Sequence, residues 1–84
     1  MYRLDIDPEA REQIAALPRE ALPFLAEVFA VLVLTPWNGV PQKKDNPTAA
    51  LRRRHFGPGL AGQVVYLIVE HRLEVHVIMV QWWG

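Results

Sequence analysis

The chain has 84 residues with nine basic and nine acidic side chains, so its formal net charge at pH 7 is zero. This balance excludes a global attraction to nucleic acid or to an anionic membrane, and any such binding has to come from a local patch. The absence of cysteine excludes disulfides and thiolate metal sites, and the absence of serine excludes a serine nucleophile.

The length predicts one small domain, residues 1–84, with a single modest core. Because 51% of the residues are hydrophobic, we expect part of the apolar surface to lie against a partner chain. The most apolar segment, Phe24 to Leu34, is well short of the roughly 20 residues that span a bilayer, and no secretory leader pattern follows Met1. These features predict a cytoplasmic protein that does not bind a membrane.

The first predicted elements are a strand and a helix. Residues 2–7 alternate apolar and charged side chains, which is the period of a half-buried strand. Asp7 followed by Pro8 is a typical helix start, and Pro18 ends that helix. Its predicted buried face consists of Ala10, Ile14 and Leu17.

A second helix is predicted from Arg19 or Glu20 to Thr35, because Pro23 is tolerated only in a first turn. The break at Pro18 is tight, so the two helices are expected to pair and to pack over a sheet. A loop is predicted from Trp37 to Pro47. The apolar stripe of the second helix consists of Leu22, Leu25, Phe29 and Leu32.

The remaining chain predicts three strands. Ala49 to Phe56 has room for one strand, and residues 63–83 form two runs rich in β-branched and aromatic residues around the polar group 70–72, as in a β-hairpin. The predicted fold is α+β with the order β-α-α-β-β-β: a four-stranded, mostly antiparallel sheet with two helices packed on one face. The first strand is expected to pair in parallel with a later strand.

Strand alternation predicts which side chains share a face. In the last strand, one face carries Val75, Val77 and Met79 and belongs to the core. The opposite face is mixed, and a functional surface is expected on it or beside it. That mixed face consists of Glu74, His76, Ile78, Val80 and Trp82. In the basic strand, Arg52 and Arg54 share one face while Arg53 and His55 take the other.

Three stretches, YRLDIDPEAREQIAALP at the start, LRRRHFG in the basic strand and VVYLIVEHRLEVHVIMV in the hairpin, occur in this predicted order of elements. Together they resemble the RelE/ParE superfamily of toxins from bacterial type II toxin–antitoxin systems, over nearly the whole chain. The resemblance implies a toxin that inhibits translation through ribosome-dependent cleavage of messenger RNA. It also implies a cognate antitoxin as partner, with the ribosome and mRNA as targets. Whether the protein forms a homodimer is left open by the sequence.

The residues themselves offer groups for RNA cleavage. Attack by a 2′-hydroxyl needs a proton acceptor, a cation for the phosphate and a proton donor for the departing 5′-oxygen. Arg54 can stabilise the phosphate, His55 can transfer a proton near neutral pH, and the resemblance adds Tyr66 as an assistant. The candidate catalytic residues are therefore Arg54, His55 and Tyr66, and the candidate nucleic-acid-binding residues are Lys43, Lys44, Arg52, Arg53 and Arg54.

Other interpretations of these residues stay open. The basic patch also suits an acidic antitoxin segment or plain solvation, and Trp82 and Trp83 are expected to be packing or partner-binding anchors, one of them buried. Gln63 and Gln81 stand where RNA-cleaving relatives carry arginines. Together with the zero net charge, this favours the alternative of a non-enzymatic protein, either a ParE-like inhibitor of DNA gyrase or an inactive binding module. No cofactor and no metal site is predicted.

Overall fold

The computed structural model of the protein describes residues 1–42 and 49–84. In these two ranges the chain forms five strands and two α-helices, joined by short 3-10 turns. The predicted α+β fold is confirmed, and it contains one more strand than expected because the stretch predicted as a loop contributes β2. The elements are β1 (Arg3–Ile6), α1 (Pro8–Ala15), α2 (Leu22–Leu34), β2 (Val40–Pro41), β3 (Leu51–Phe56), β4 (Gly62–Val69) and β5 (Glu74–Trp82).

The strands form one sheet in the order β1-β5-β4-β3-β2. β1 pairs with β5 in parallel, as expected from a chain that crosses the sheet through two helices, and the other neighbours are antiparallel. β4 therefore lies in the middle of the sheet. Its position explains why its apolar residues extend over both faces.

Both helices pack on one face of the sheet, which we call the core face. Ala10 of α1 and three residues of α2 meet the buried side chains of β4 and β5 in a single cluster. The opposite face, which we call the open face, has neither α1 nor α2 on it. The central members of the cluster are Leu25, Val28, Leu32, Val64, Tyr66, Ile68, Val75 and Val77.

The helix ends follow the local sequence. Pro8 occupies the first position of α1, where its missing N–H costs nothing. Asp7 lies at the N-cap with extended backbone, but its side chain makes no capping hydrogen bond. In α2, Leu25 and Leu32 of the predicted stripe are buried, and so is Val28 beside that stripe, whereas Leu22 is exposed. Neither helix in the described ranges is long and apolar enough to cross a membrane.

A β-bulge near the middle of β5 changes which side chains face the core. Val65 of β4 pairs with Met79, but the next residue, Tyr66, pairs with Val77, so Ile78 is an extra residue on β5. The alternation is inverted beyond this point. Val80 is therefore buried and Met79 is 36% exposed. The predicted faces of Met79, Val80 and Trp82 were wrong for this reason, whereas those of the residues before the bulge are as expected.

Candidate functional site

The three arginines of β3 lie on two different faces of the sheet. Arg52 pairs with Tyr66 and Arg54 pairs with Val64, and directly paired residues of neighbouring strands share a face. Because Val64 and Tyr66 belong to the core cluster, Arg52 and Arg54 project to the side of the helices. Arg53, between them, projects to the open face.

Arg52 is a structural residue of the core face. It is 6% exposed, and its Nε donates to the Ala49 carbonyl at 3.0 Å. Its Nη1 donates to the carbonyls of Trp37 and Gly39, both at 2.9 Å, and the guanidinium lies 4.9 Å from the centre of the Trp37 ring. These contacts attach the α2–β2 connection to the sheet. A phosphate contact, predicted for Arg52, does not fit this burial.

Tyr66 is also buried, with no exposed surface. Its hydroxyl donates to the Pro36 carbonyl at 2.6 Å, and desolvation by burial raises its pKa. Gly39 leaves the space for this hydroxyl, since a Cβ there would lie 1.9 Å from it. The position fits a packing role and not the catalytic assistance predicted for Tyr66.

Arg54 lies beside α2. The half-buried side chain lines a shallow cavity between α2 and the end of β3. Most of the lining residues are apolar, and Glu27 is among them as an acidic residue. Arg54 is thus separated by the sheet from the open face. The other lining residues are Phe24, Val28, Val31, His55, Phe56 and Gly57.

The open face brings together Arg53 and His55. His55 is exposed and pairs with Gln63 on β4. Arg53 is half-buried, and its Nη1 donates to the Pro41 carbonyl at 3.3 Å and to Gln42 Oε1 at 3.2 Å. Beside them, Gln63 donates to Gln81 Oε1 at 3.0 Å. One end of the open face therefore combines a cation, an imidazole and neutral amides.

The other end of the open face holds a cluster around Glu74. This carboxylate is only 5% exposed, and it forms ion pairs with Arg3 and, at 3.6 Å between Oε1 and Nε, with Arg72. His76 Nε2 lies 3.0 Å from Glu74 Oε1, and His76 Nδ1 lies 3.9 Å from Asp5 Oδ2. The hydrogen bonds from His76 and Arg3 lower the pKa of Glu74, so the carboxylate stays ionised.

A second carboxylate, Glu70, joins distant parts of the chain. Its Oε1 accepts a hydrogen bond from the Tyr2 hydroxyl at 2.5 Å and one from Trp37 Nε1 at 2.7 Å. These two donors lower the pKa of Glu70, with Tyr2 contributing most, and the same hydrogen bond raises the pKa of Tyr2. The network links the residue just before β1, the α2–β2 connection and the turn before β5.

These two carboxylates predict a loss of stability in acid. The ordinary pKa of both is 4.5 and folding lowers it, so the unfolded chain takes up protons first as the pH falls. The stabilisation is present above about pH 4.5 and disappears as the pH falls through the lower folded values. Urea unfolding midpoints at pH 7, 5, 4 and 3 should decrease below pH 5. A Glu70→Gln/Glu74→Gln variant should show a flatter dependence; an identical slope would contradict the assignment.

The two tryptophans at the end of β5 differ in exposure. Trp82 packs on Phe56 with ring centres 5.7 Å apart, and its buried Nε1 has no hydrogen-bond partner among the described residues. Trp83 is 62% exposed and so is accessible to a partner. Lys43 and Lys44, both predicted to bind nucleic acid, lie outside the described residues.

The sequence alone did not indicate the Glu74 cluster. It placed Glu74 and His76 on one face, but Arg3 and Asp5 reach them only through the pairing of β1 with β5, across 71 residues between Arg3 and Glu74. The only local signal was an acidic residue, Glu74, two positions before a histidine, His76, on the same predicted strand.

Three solved structures resemble this fold closely. The isolated RelE toxin of E. coli matches with a TM-score of 0.81 and 16% identity, over 100% of this chain and 86% of that one. The intact E. coli RelBE toxin–antitoxin complex matches with a TM-score of 0.75 and 17% identity, over 100% and 99%. The archaeal RelE–RelB complex from Pyrococcus horikoshii OT3 matches with a TM-score of 0.65 and 15% identity, over 99% of this chain and 96% of that one.

Comparisons of the amino-acid sequence with protein families and curated proteins found no match. No protein-family model matches the chain, and no curated protein sequence matches it. The chain has the RelE fold, which confirms the expected resemblance at the level of architecture. At these identities the likeness is one of fold.

Proposed function

We propose that this protein, which has the fold of the RelE toxins, is the toxin of a bacterial type II toxin–antitoxin system and inhibits translation by cleaving messenger RNA on the ribosome. The observation that carries the proposal is the open face, where Arg53 and His55 project together on the side away from α1 and α2. A strand of RNA laid across this face would meet both side chains.

The chemistry of the two residues suits RNA cleavage. Arg53 and His55 are next-but-one neighbours on β3, about 7 Å apart along the strand. The guanidinium of Arg53 can bind a phosphate through two parallel hydrogen bonds and stabilise the charge that develops on it. An imidazole exchanges protons near neutral pH, so His55 can protonate the departing 5′-oxygen.

The proposal includes a cognate antitoxin as partner. One of the E. coli neighbours and the archaeal neighbour are complexes of RelE with RelB, and this chain carries an exposed Trp83 beside a half-buried Trp82. Aromatic side chains of this kind are common anchors at protein interfaces. We place the protein in the cytoplasm because its proposed target is the translating ribosome.

Replacing Arg53 tests the proposal. Purified protein should cut mRNA on programmed ribosomes, and Arg53→Ala should lower the cleavage rate at least about 100-fold, because the phosphate loses a charged partner in the transition state. Primer extension on the mRNA gives the rate. The matched control is Arg19→Ala, an exposed arginine in the 3-10 turn before α2, which should stay within about twofold. Absence of cleavage by the wild type, or full activity of Arg53→Ala, would refute the proposal.

A non-enzymatic protein of the same fold is the second candidate. It is favoured by the Gln63–Gln81 hydrogen bond, which places two neutral amides next to His55 on the open face. The same preparations separate the two candidates. Inhibition of DNA supercoiling without RNA cleavage would identify a gyrase inhibitor, and the absence of both activities would leave a binding module.

A further inference from the structure

Three polar residues form a row across the open face at the end that carries His55. His55 of β3 pairs with Gln63 of β4, and Gln63 pairs with Gln81 of β5. Directly opposite residues of antiparallel strands have Cα atoms about 5 Å apart. Gln63 is therefore an immediate neighbour of His55, and Gln81 lies one strand further on.

The two amides have groups left for a ligand. Gln63 Nε2 donates to Gln81 Oε1 at 3.0 Å, and neither side chain forms another hydrogen bond with the described residues. Because a carboxamide has two N–H donors and one carbonyl acceptor, Gln63 Oε1 and Gln81 Nε2 are available. Both side chains are half-buried and hold each other in place. The pair thus presents an acceptor beside a donor.

Trp83 lies next to this amide pair. Its N–H donates to the Ala61 carbonyl at 2.7 Å, which continues the pairing of β4 with β5 one pair beyond Gly62 and Trp82. Alternation along the strand then places Trp83 on the face of Gln81, about 7 Å further along. Trp83 is 62% exposed, so its ring is accessible to a ligand bound at the amide pair.

These groups suit a nucleic-acid base better than a phosphate. Neither amide carries a charge, so the pair lacks the charged donors that bind phosphate strongly. Carboxamides typically read adenine, whereas arginine reads guanine and carboxylates read cytosine. Adenine has a donor next to an acceptor on both its Watson–Crick and its Hoogsteen edge, and the other three bases have such a pair only on the Watson–Crick edge. An exposed indole adds a surface on which a base stacks.

The groups for the phosphate and for the base lie on opposite sides of His55. The guanidinium of Arg53 is held toward β2 by the Pro41 carbonyl and Gln42, whereas the amide pair extends from β4 to β5. The ribose separates a base from its phosphate by a distance comparable to one or two strand spacings, about 5–10 Å. A nucleotide whose phosphate lies at Arg53 and His55 can therefore extend its base across β4.

We propose that Gln63, Gln81 and Trp83 form a base-recognition site that selects adenine next to the cleaved bond, an inference that rests on the proposed function. Gln63 Oε1 accepts a hydrogen bond from the N6 amino group of adenine, and Gln81 Nε2 donates to a ring nitrogen. The indole of Trp83 stacks on the base. The amides thus determine which nucleotide is cleaved, while Arg53 and His55 act on its phosphate.

The test is the base preference of mRNA cleavage on programmed ribosomes. A set of mRNAs carries A, C, G or U in turn on the 5′ side, and then on the 3′ side, of a single cut position. At one of these two positions, we expect the wild type to cleave next to adenine at least about fivefold faster than next to any other base, because a good bidentate contact discriminates by about 5- to 150-fold. Primer extension gives the rates.

Variants separate base reading from stacking. Gln63→Ala and Gln81→Ala should still cleave, but with rates for the four bases within about twofold of one another. Trp83→Ala should slow cleavage next to every base at least about fivefold and keep the preference, because stacking tolerates any base.

The matched control is Met79→Ala. Met79 is 36% exposed on the same face, two residues before Gln81, and its side chain has no strong hydrogen-bonding group. This variant should keep both the rate, within about twofold, and the preference for adenine. Circular dichroism checks the fold of each variant, and if one glutamine variant does not fold, the other decides.

The outcomes separate this inference from the proposed function. Wild-type protein that does not cleave mRNA overturns both. Three results overturn only the base-recognition site, provided that cleavage is lost in Arg53→Ala: equal rates for all four bases, a preference for another base, or a preference for adenine that survives in Gln63→Ala and Gln81→Ala.

Discussion

Replacing Tyr66 by alanine should lower the free energy of unfolding by about 4 kcal/mol, because the removal of a large, fully buried aromatic side chain leaves a cavity. Tyr66 has no exposed surface and lies in the centre of the core cluster. A domain of this size is stable by only about 4–13 kcal/mol. We expect the melting temperature to fall by about 20 °C, as measured by circular dichroism.

Tyr66→Phe separates the two contributions of this residue. It keeps the ring and removes only the hydroxyl that donates to the Pro36 carbonyl, so it should cost about 1–2 kcal/mol. If Tyr66 were instead catalytic, Tyr66→Phe would abolish mRNA cleavage without much loss of stability. We expect the cleavage rate of Tyr66→Phe to match that of the wild type.

Replacing Arg52 by alanine should destabilise the protein by about 3 kcal/mol, since hydrogen bonds from a charged donor contribute more than neutral ones and three carbonyls lose their donor. Those carbonyls belong to Ala49, Trp37 and Gly39. Urea unfolding measures the loss. Arg52→Lys should recover little of it, because an ammonium group cannot reproduce the planar arrangement of the guanidinium donors.

The neighbouring arginine provides the control. Arg53→Ala should change the free energy of unfolding by less than about 1 kcal/mol, since its side chain is half-buried and, within the described residues, donates hydrogen bonds to Pro41 and Gln42 near the edge of the sheet. Adjacent arginines should thus show opposite phenotypes, with Arg52 affecting stability and Arg53 affecting cleavage. Equal stability losses in the two variants would contradict the assignment of the two side chains to different faces.

Most of the fold follows from local sequence patterns. Alternation in residues 2–7, the prolines at the helix boundaries and the apolar hairpin predicted the order of the elements and the parallel pairing of β1. The short β2 was not predicted because a strand of two residues is too short to show an alternation of apolar and polar side chains. Its pairing with β3 depends on how the connection after α2 folds back, and this depends on the burial of Tyr66 and Arg52.

The site was less predictable than the fold. Alternation separated Arg52 and Arg54 from Arg53 and His55 correctly, but it could not tell which pair faces the helices. The predicted nucleic-acid-binding role of Arg52 and Arg54 required both side chains to be accessible to a phosphate. The structure buries Arg52 instead, because nearby backbone carbonyls and the Trp37 ring take up its donors and its charge.

The β-bulge in β5 was also beyond local prediction. The register shift occurs in the middle of a uniformly apolar run, between Val65/Met79 and Tyr66/Val77. Val, Ile and Met are each compatible with either face, so nothing in the sequence marks the extra residue. The shift nevertheless decides that Val80 joins the core and Met79 does not.

Pairing of the first strand with the last has a kinetic consequence. Arg3 lies opposite Glu74 and Ile6 lies opposite Val77, so the sheet is completed only when a loop of about 70 residues closes, which is entropically costly. Chains dominated by such distant contacts fold in about milliseconds or more slowly. Until β1 docks, the outer edge of β5 exposes unpaired amide and carbonyl groups to other chains. The N-terminal segment therefore protects the nascent protein from self-association.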